Sequence, residues 1–203
     1  MTRIANIETR PYDSPLREEQ AQRTRDRILD AALRVISSGI ANVSVPAIAR
    51  EAGVSVATVY RHFPTKADVL AAVYPHVARQ HGLDQLPDPT SLNDLRESIR
   101  RIFERVDGLD DLARAAMASP GAAEVRHATM PSRMARVGRI ADGLGSDISD
   151  EARARFTRLL IVLTASASLR MWRDHIGASV ETAADDIDFA MRAVVAASRR
   201  NQS

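Results

Sequence analysis

Apolar residues recur along this chain at the three- and four-residue spacing of amphipathic helices, and no segment alternates apolar and polar positions as a strand would. The first helical segment spans about residues 20–37 and ends at Gly39, a residue typical of helix C-termini. Its apolar face consists of Ile28, Leu29, Ala32, Leu33 and Ile36. The pattern predicts an all-α fold.

Residues 44–68 predict two short helices joined by a tight turn. Ser44 can cap the first helix, and Pro46 falls in its first turn, where the missing N–H costs nothing. Gly53 falls where the first helix must end in a left-handed conformation. Ser55 can then cap the second helix. This arrangement is a helix-turn-helix, which places its second helix in the major groove of DNA.

The second helix has one face for the protein core and one for a partner. Val59 and Phe63 lie four positions apart and can both face the core. The outer face and its edges are then formed by Val56, Ala57, Thr58, Tyr60, Arg61 and His62.

A connecting helix follows the helix-turn-helix and runs to about His81. Thr65 and Asp68 have the spacing of a capping box at its start. Lys66 lies in its first turn, where an exposed lysine can contact a phosphate. This helix links the first domain mechanically to the rest of the chain.

The chain divides into three parts. Residues 1–18 show no periodicity and are predicted to be a flexible arm; Arg3, Arg10 or Arg17 could reach a minor groove, or the arm could contact nothing. Residues 19–81 form the helix-turn-helix domain with its connecting helix, and the proline-containing segment 82–90 is the boundary. Residues 82–203 form a C-terminal helical bundle whose predicted helices span about 92–107, 109–118, 122–143 with a break at Pro131, 150–176 and 180–200.

Composition restricts the class of protein. The 203 residues are 45% apolar, enough for a substantial core, and they contain no cysteine, which excludes disulfides and thiolate metal sites. No run of about 18 apolar residues occurs, so we expect a soluble, cytoplasmic protein. We expect neither a cofactor nor a metal, since His127 and His175 are isolated in the sequence.

Net charge is unevenly distributed. Residues 1–81 contain 11 Lys and Arg against 8 Asp and Glu, a net charge of +3. Residues 82–203 contain 17 against 18, a net charge of −1. The basic excess accompanies the helix-turn-helix, but it is too small to identify a DNA-binding protein without the motif.

Three motifs at fixed spacing resemble the DNA-binding domain of the tetracycline-repressor (TetR) family. They are R-x-x-I-L-x-A-A at residues 25–32, I-A-x-x-A-G-V-S at 48–55 and Y-x-H-F-x-x-K at 60–66. The resemblance covers about residues 23–75. It implies a homodimer that binds double-stranded DNA at an inverted-repeat operator, with C-terminal helices that dimerise and surround a pocket for a small apolar effector.

The candidate DNA contacts have different roles. Ser44 and Lys66 would hold phosphates at helix N-termini, and Arg61 could bind guanine or phosphate. Each has a plainer alternative, because the serines can serve only as caps, Arg61 can be merely solvated and His62 can bond locally. The full set is Ser44, Ser55, Val56, Ala57, Thr58, Tyr60, Arg61, His62 and Lys66.

The C-terminal candidates are less specific, since each could instead fill an ordinary core. Methionine and aromatic side chains that could line an apolar pocket are Phe103, Met117, Met130, Met134, Phe156 and Trp172. Apolar residues of the last two helices that could form a dimer interface are Leu160, Leu163, Leu169, Met191, Val194 and Val195.

Two other functions compete with a ligand-responsive repressor. An enzyme is disfavoured because the chain has no G-x-S-x-G, no H-E-x-x-H and no phosphate-binding glycine loop. A DNA-binding regulator without an inducer, whose C-terminal half serves only dimerisation or a protein partner, remains open. A cavity of a few hundred Å³ in the bundle would favour the ligand-responsive alternative.

Overall fold

The computed structural model describes residues 15–39 and 43–200, in which the chain forms ten α-helices, one π-helical turn and no strand. The predicted all-α fold is confirmed. The helices are α1 (Pro15–Ser37), α2 (Val45–Ala52), α3 (Val56–His62), α4 (Lys66–Gln80), α5 (Leu92–Asp107), α6 (Asp111–Ala118), α7 (Ala122–Asp142), α8 (Asp150–Leu163), α9 (Ser166–Arg170) and α10 (Val180–Arg200), with the π-helical turn at Met171–Ile176.

Helix α1 begins earlier than the sequence pattern predicts. It starts at Pro15, a residue tolerated in a first helical turn, so positions 15–18 of the predicted arm are helical. Arg17 therefore lies in the first turn of α1. Arg3 and Arg10 lie outside the described residues.

Side-chain caps fix the ends of the helix-turn-helix as predicted. The hydroxyl of Ser44 accepts a hydrogen bond from the N–H of Ala47, and that of Ser55 accepts one from Thr58. Gly53 ends α2 with φ at +64°, the left-handed conformation that glycine adopts without steric cost. Thr65 and Asp68 form the predicted capping box at the start of α4.

Two apolar cores hold the helices together. The first core joins α1, α2, α3 and α4, and it also includes Leu109, Ala113 and Ala116 at α6. Helix α6 therefore packs on α1 although it lies beyond the sequence boundary at residues 82–90. The second core joins α5, α8 and α10 with the end of α7.

Two predictions about where the long helices are continuous differ from the structure. Helix α7 continues through Pro131, so the break predicted there is wrong. The single helix predicted for 150–176 is also wrong, because α8 ends at Leu163 and α9 begins at Ser166. The hydroxyl of Thr164 donates to the carbonyl of Leu160 at 2.6 Å, and Ser168 donates to Val162. Such bonds compete with regular helical hydrogen bonds.

No helix in the described part of the chain combines the length and the apolar character needed to cross a bilayer.

Candidate DNA-binding interface and effector cavity

Helix α3 presents a clear outer face. Val59 and Phe63 are buried in the first core, as predicted, and they fix the rotation of the helix. On the opposite side, Tyr60 is 47% exposed and Val56 is 39% exposed. Ala57 and Arg61 are exposed as well, whereas Thr58 and His62 are half-buried at the edges of this face. The face therefore offers an aromatic ring, a guanidinium and small apolar groups to a partner.

The candidate hydroxyls serve first as caps. Ser44 is exposed, and its oxygen lies 3.3 Å from the N–H of Ala47. The Ser55 oxygen lies 3.0 Å from the N–H of Thr58 and 2.9 Å from the Thr58 hydroxyl. The hydroxyl proton of Ser44 remains able to donate to a phosphate oxygen, and so does that of Ser55 when the Thr58 hydroxyl is the donor between the two. The geometry therefore fits capping together with phosphate contact.

Arg25, which the sequence reasoning did not select, supports the end of α3. One of its Nη atoms donates to the carbonyl of His62 at 3.1 Å, and the guanidinium lies 4.1 Å from the centroid of the Phe63 ring. Arg25 thus ties α1 to the C-terminus of α3. The available signal was its place as the first residue of the motif at 25–32.

His62 is a neutral group near pH 7. Partial burial is the main cause that lowers the pKa of its imidazole below the usual value of 6.5, and Arg61 and Arg25 act in the same direction. The imidazole can therefore donate or accept a hydrogen bond, but it adds no positive charge to the interface.

Lys66 is not a free cation. Its ammonium lies 2.5 Å from a carboxylate oxygen of Glu124 at the start of α7. The other oxygen of Glu124 accepts a hydrogen bond of 3.2 Å from the N–H of Val43, just before α2. The Glu124 carboxylate thus holds both ends of the helix-turn-helix. Glu124 lies 81 positions after Val43 and 58 positions after Lys66, and no sequence pattern indicates either contact.

A cavity of about 590 Å³ lies between the two cores. Its walls come from α1, α4, α5, α6 and α7, and residues near the α8–α9 junction complete it. This volume is within the range of pockets for small molecules.

Among the described residues, no three His, Cys, Asp or Glu side chains converge on a point where they could hold a metal ion.

The cavity has different walls from those predicted. Of the six candidates, Met117 lines it. Phe103 and Phe156 are buried in the second core because their helices pack there, and Trp172 packs against the same core. Met130 and Met134 lie on α7 outside the cavity lining, with Met134 on the surface. The pattern marked these positions as apolar but could not distinguish a core from a cavity wall.

Most of the predicted interface residues are also core residues. Leu160, Leu169, Met191 and Val195 are buried within the second core and cannot reach a partner, and Leu163 and Val194 are half-buried. The large apolar side chains exposed on the packed helices α8 and α10 are instead Leu159, Val162 and Phe189. We call these three residues the α8–α10 apolar face.

Comparisons with known sequences concern mainly the helix-turn-helix. Residues 28–73 match the family model described as bacterial regulatory proteins, tetR family. A 66-residue segment is 46% identical to the HTH-type transcriptional regulator SrpR of Pseudomonas putida and covers 32% of this chain and 30% of SrpR. Another match, to the HTH-type transcriptional repressor KstR of Mycolicibacterium smegmatis, is 31% identical over 121 residues, or 59% of this chain and 45% of KstR. The matched segments thus span less than half the length of these relatives.

Solved structures extend the likeness to the C-terminal helices. NalD of Pseudomonas aeruginosa, the secondary repressor of the MexAB-OprM multidrug efflux pump, aligns with a TM-score of 0.56 and 21% identity over 86% of this chain and 96% of NalD. A TetR-family member from Streptomyces coelicolor A3 aligns with a TM-score of 0.53 and 20% identity, covering 83% of this chain and 97% of that one. At such identities the likeness concerns the fold alone.

Proposed function

We propose that the chain is a DNA-binding transcriptional regulator of the tetR family and not an enzyme, because residues 28–73 match that family's model and the helix-turn-helix resembles those of curated regulators. It acts in the cytoplasm as a repressor, binds an inverted-repeat operator as a homodimer, and is released by a small molecule. The exposed outer face of α3, held by two capped helix starts and a left-handed glycine, is the observation that carries this proposal. Repression is the simpler mode of action, since occupying a promoter requires no further contact.

The DNA contacts divide between reading and positioning. Tyr60 and Arg61 on the outer face reach base edges or neighbouring phosphates, and Val56 and Ala57 contact thymine methyl groups. Ser44 and Ser55 hold phosphates at two helix N-termini, which fixes the register of α3 without reading sequence.

The short length of helix α3 favours a dimer. Helix α3 has seven residues, so one copy contacts too few base pairs for a specific site, and two copies reading symmetric half-sites solve this problem. The α8–α10 apolar face supports a twofold interface, because Val162 is 62% exposed and Phe189 is 75% exposed.

Release by an effector is supported by the position of the cavity. Helices α4 and α7 line it, and both also meet at the helix-turn-helix through Lys66 and Glu124. A molecule that binds one arrangement of these helices more tightly shifts the dimer toward that arrangement and changes the spacing of its two α3 helices. The cavity favours this proposal over a regulator whose C-terminal half only dimerises.

Selection from a random duplex pool tests the proposed function. The purified protein should enrich an inverted repeat, and a variant with Tyr60→Ala and Arg61→Ala should lose the enrichment. Arg155→Gln is the matched control, because Arg155 is exposed on α8 and pairs with Glu151, far from α3 in the chain. Failure of the unmodified protein to enrich any sequence would contradict the proposal.

A further inference from the structure

The cavity combines an apolar wall with a positively charged one. Its apolar side includes Ile36, Val77, Ile99, Val106 and Leu160. Helix α7 adds four arginines to the lining, namely Arg126, Arg133, Arg136 and Arg139. An apolar pocket with a few charged groups at one wall suits a ligand that is itself amphipathic.

The four arginines differ in their partners. Arg136 lies 2.5 Å from the carboxylate of Asp88, and Arg139 lies 3.7 Å from the same group. No carboxylate in residues 15–39 or 43–200 pairs with Arg126 or Arg133. These two residues are seven positions apart, which places them on one face of α7 two turns apart. Positive charge on this wall therefore exceeds the negative charge that neutralises it.

Arg133 is the arginine of this wall whose surroundings disfavour its charge. It is half-buried, and burial is the main cause that lowers the pKa of its guanidinium; Arg136 and Arg126 act in the same direction, and Tyr74 opposes them. The guanidinium nevertheless remains charged at physiological pH, because its pKa starts so high. A half-buried charge without a carboxylate partner is unfavourable, and an anionic ligand would reduce that penalty.

We propose that the effector is an amphipathic carboxylate, with its carboxylate paired to Arg133 and its apolar body against the α5 side of the cavity. This inference rests on the proposed function and specifies the ligand of its cavity. A guanidinium binds a carboxylate through two parallel N–H···O bonds, which gives orientation as well as affinity. The same wall repels organic cations, so charge and not only size selects the ligand.

Calorimetric titration with three ten-carbon amphiphiles tests the inference. Decanoate, decanol and decyltrimethylammonium, each used below its micelle concentration, have nearly the same apolar chain and differ in the head group. Decanoate should bind most tightly and the cation most weakly. Titration with 2-naphthoate then distinguishes an aromatic body from a linear one, and binding of either carboxylate in preference to its neutral analogue supports the inference.

Variants of Arg133 connect the selectivity to this residue. Arg133→Gln should weaken carboxylate binding about tenfold or more and leave decanol binding unchanged. Arg133→Lys keeps the positive charge but cannot form the two parallel hydrogen bonds of a guanidinium, so it should lose less carboxylate affinity. This variant provides the test if Arg133→Gln does not fold. Arg155→Gln removes the same charge at a residue that does not line the cavity and should bind as the unmodified protein does.

Three results would overturn the inference: no binding of either carboxylate, equal or tighter binding of the cation, or carboxylate affinity unchanged in both Arg133 variants. Binding to the selected duplex, measured on the same preparations, tests the proposed function separately. A protein that binds carboxylates selectively but does not bind the duplex would contradict the proposed function alone. A protein that binds the duplex but shows no preference for carboxylates would contradict the ligand class alone.

Discussion

Lys66 is the only lysine in a chain with 28 Lys and Arg residues, and its position at the start of α4 makes it a proposed phosphate ligand as well as a contact to α7. Its ion pair with Glu124 is partly exposed on both sides, so the pair contributes little to stability, about 0–1 kcal/mol. A DNA phosphate at the start of α4 would compete with Glu124 for the same ammonium. Because Glu124 belongs to α7, this competition connects DNA binding to the cavity wall.

We predict that substitutions of Lys66 and Glu124 change the affinity for DNA in opposite directions. Lys66→Ala should weaken binding to all duplexes and lower the slope of log affinity against log salt by about 1. Glu124→Gln should raise the affinity for DNA by up to about fivefold, because it frees the Lys66 ammonium from an exposed ion pair that contributes at most about 1 kcal/mol. The glutamine retains an oxygen that accepts from the Val43 N–H. A salt titration measures both variants. An unchanged slope in Lys66→Ala would remove this residue from the phosphate contacts.

His62 gives a prediction about charge. The pKa of its imidazole is lowered by burial first and by Arg61 and Arg25 next, so it is neutral above pH 6.5 and takes up a proton only below that value. His62→Gln should therefore leave the salt slope unchanged at pH 7.5, because no cation is removed. A slope smaller by about 1 in this variant would show instead that the DNA-bound protein carries a charged imidazole.

At the scale of elements, the helix ends could be predicted where local chemistry decides them. Ser44, Ser55 and the Thr65–Asp68 box supply hydrogen bonds within three residues, and Gly53 supplies a conformation that other residues avoid. The breaks in the long helices could not be predicted in this way. Helix α7 continues through Pro131 although a proline gives up one backbone hydrogen bond, and the interruption after Leu163 accompanies hydroxyl bonds of Thr164 and Ser168 that sequence spacing does not specify.

The backbone strain expected of an alanine at Gly53 can be tested by comparison with Gly138, which lies within helix α7. A Cβ would meet no atom within 4 Å at Gly53 or at Gly138, so the two positions differ in backbone conformation and not in space. Gly53→Ala should lower the free energy of unfolding by about 1–2 kcal/mol, because φ of +64° strains an L-residue. Gly138→Ala, within α7, should raise it by about 0.5–1 kcal/mol. Urea unfolding measures both, and equal effects would contradict the assigned strain.

At the scale of the whole molecule, the sequence pattern found apolar positions but could not tell which of them face a partner. Met191 and Leu160 have the same periodic spacing as ordinary interface residues, yet they are buried within one chain. Burial is set by how α8 and α10 cross, and that geometry depends on contacts between distant segments. The same reason explains why Met117 alone, of the six predicted pocket residues, lines the cavity.

The α8–α10 apolar face yields a prediction about assembly. Val162→Glu together with Phe189→Glu should convert the proposed dimer to a monomer, because two charges would be buried against their copies in a twofold interface. Leu16→Glu, at an exposed apolar position on α1, is the control and should remain dimeric. Sedimentation velocity measures the mass, and a dimer that survives both glutamates would place the interface elsewhere.

The central claim is that the outer face of α3 reads base pairs. Its most direct test is the ratio of dissociation constants for the selected inverted repeat and for a scrambled duplex of the same composition, measured at one salt concentration. We predict that the protein binds the selected repeat at least about a thousandfold more tightly, and that Tyr60→Ala with Arg61→Ala reduces this ratio sharply. Equal affinity of the unmodified protein for the two duplexes would contradict the account.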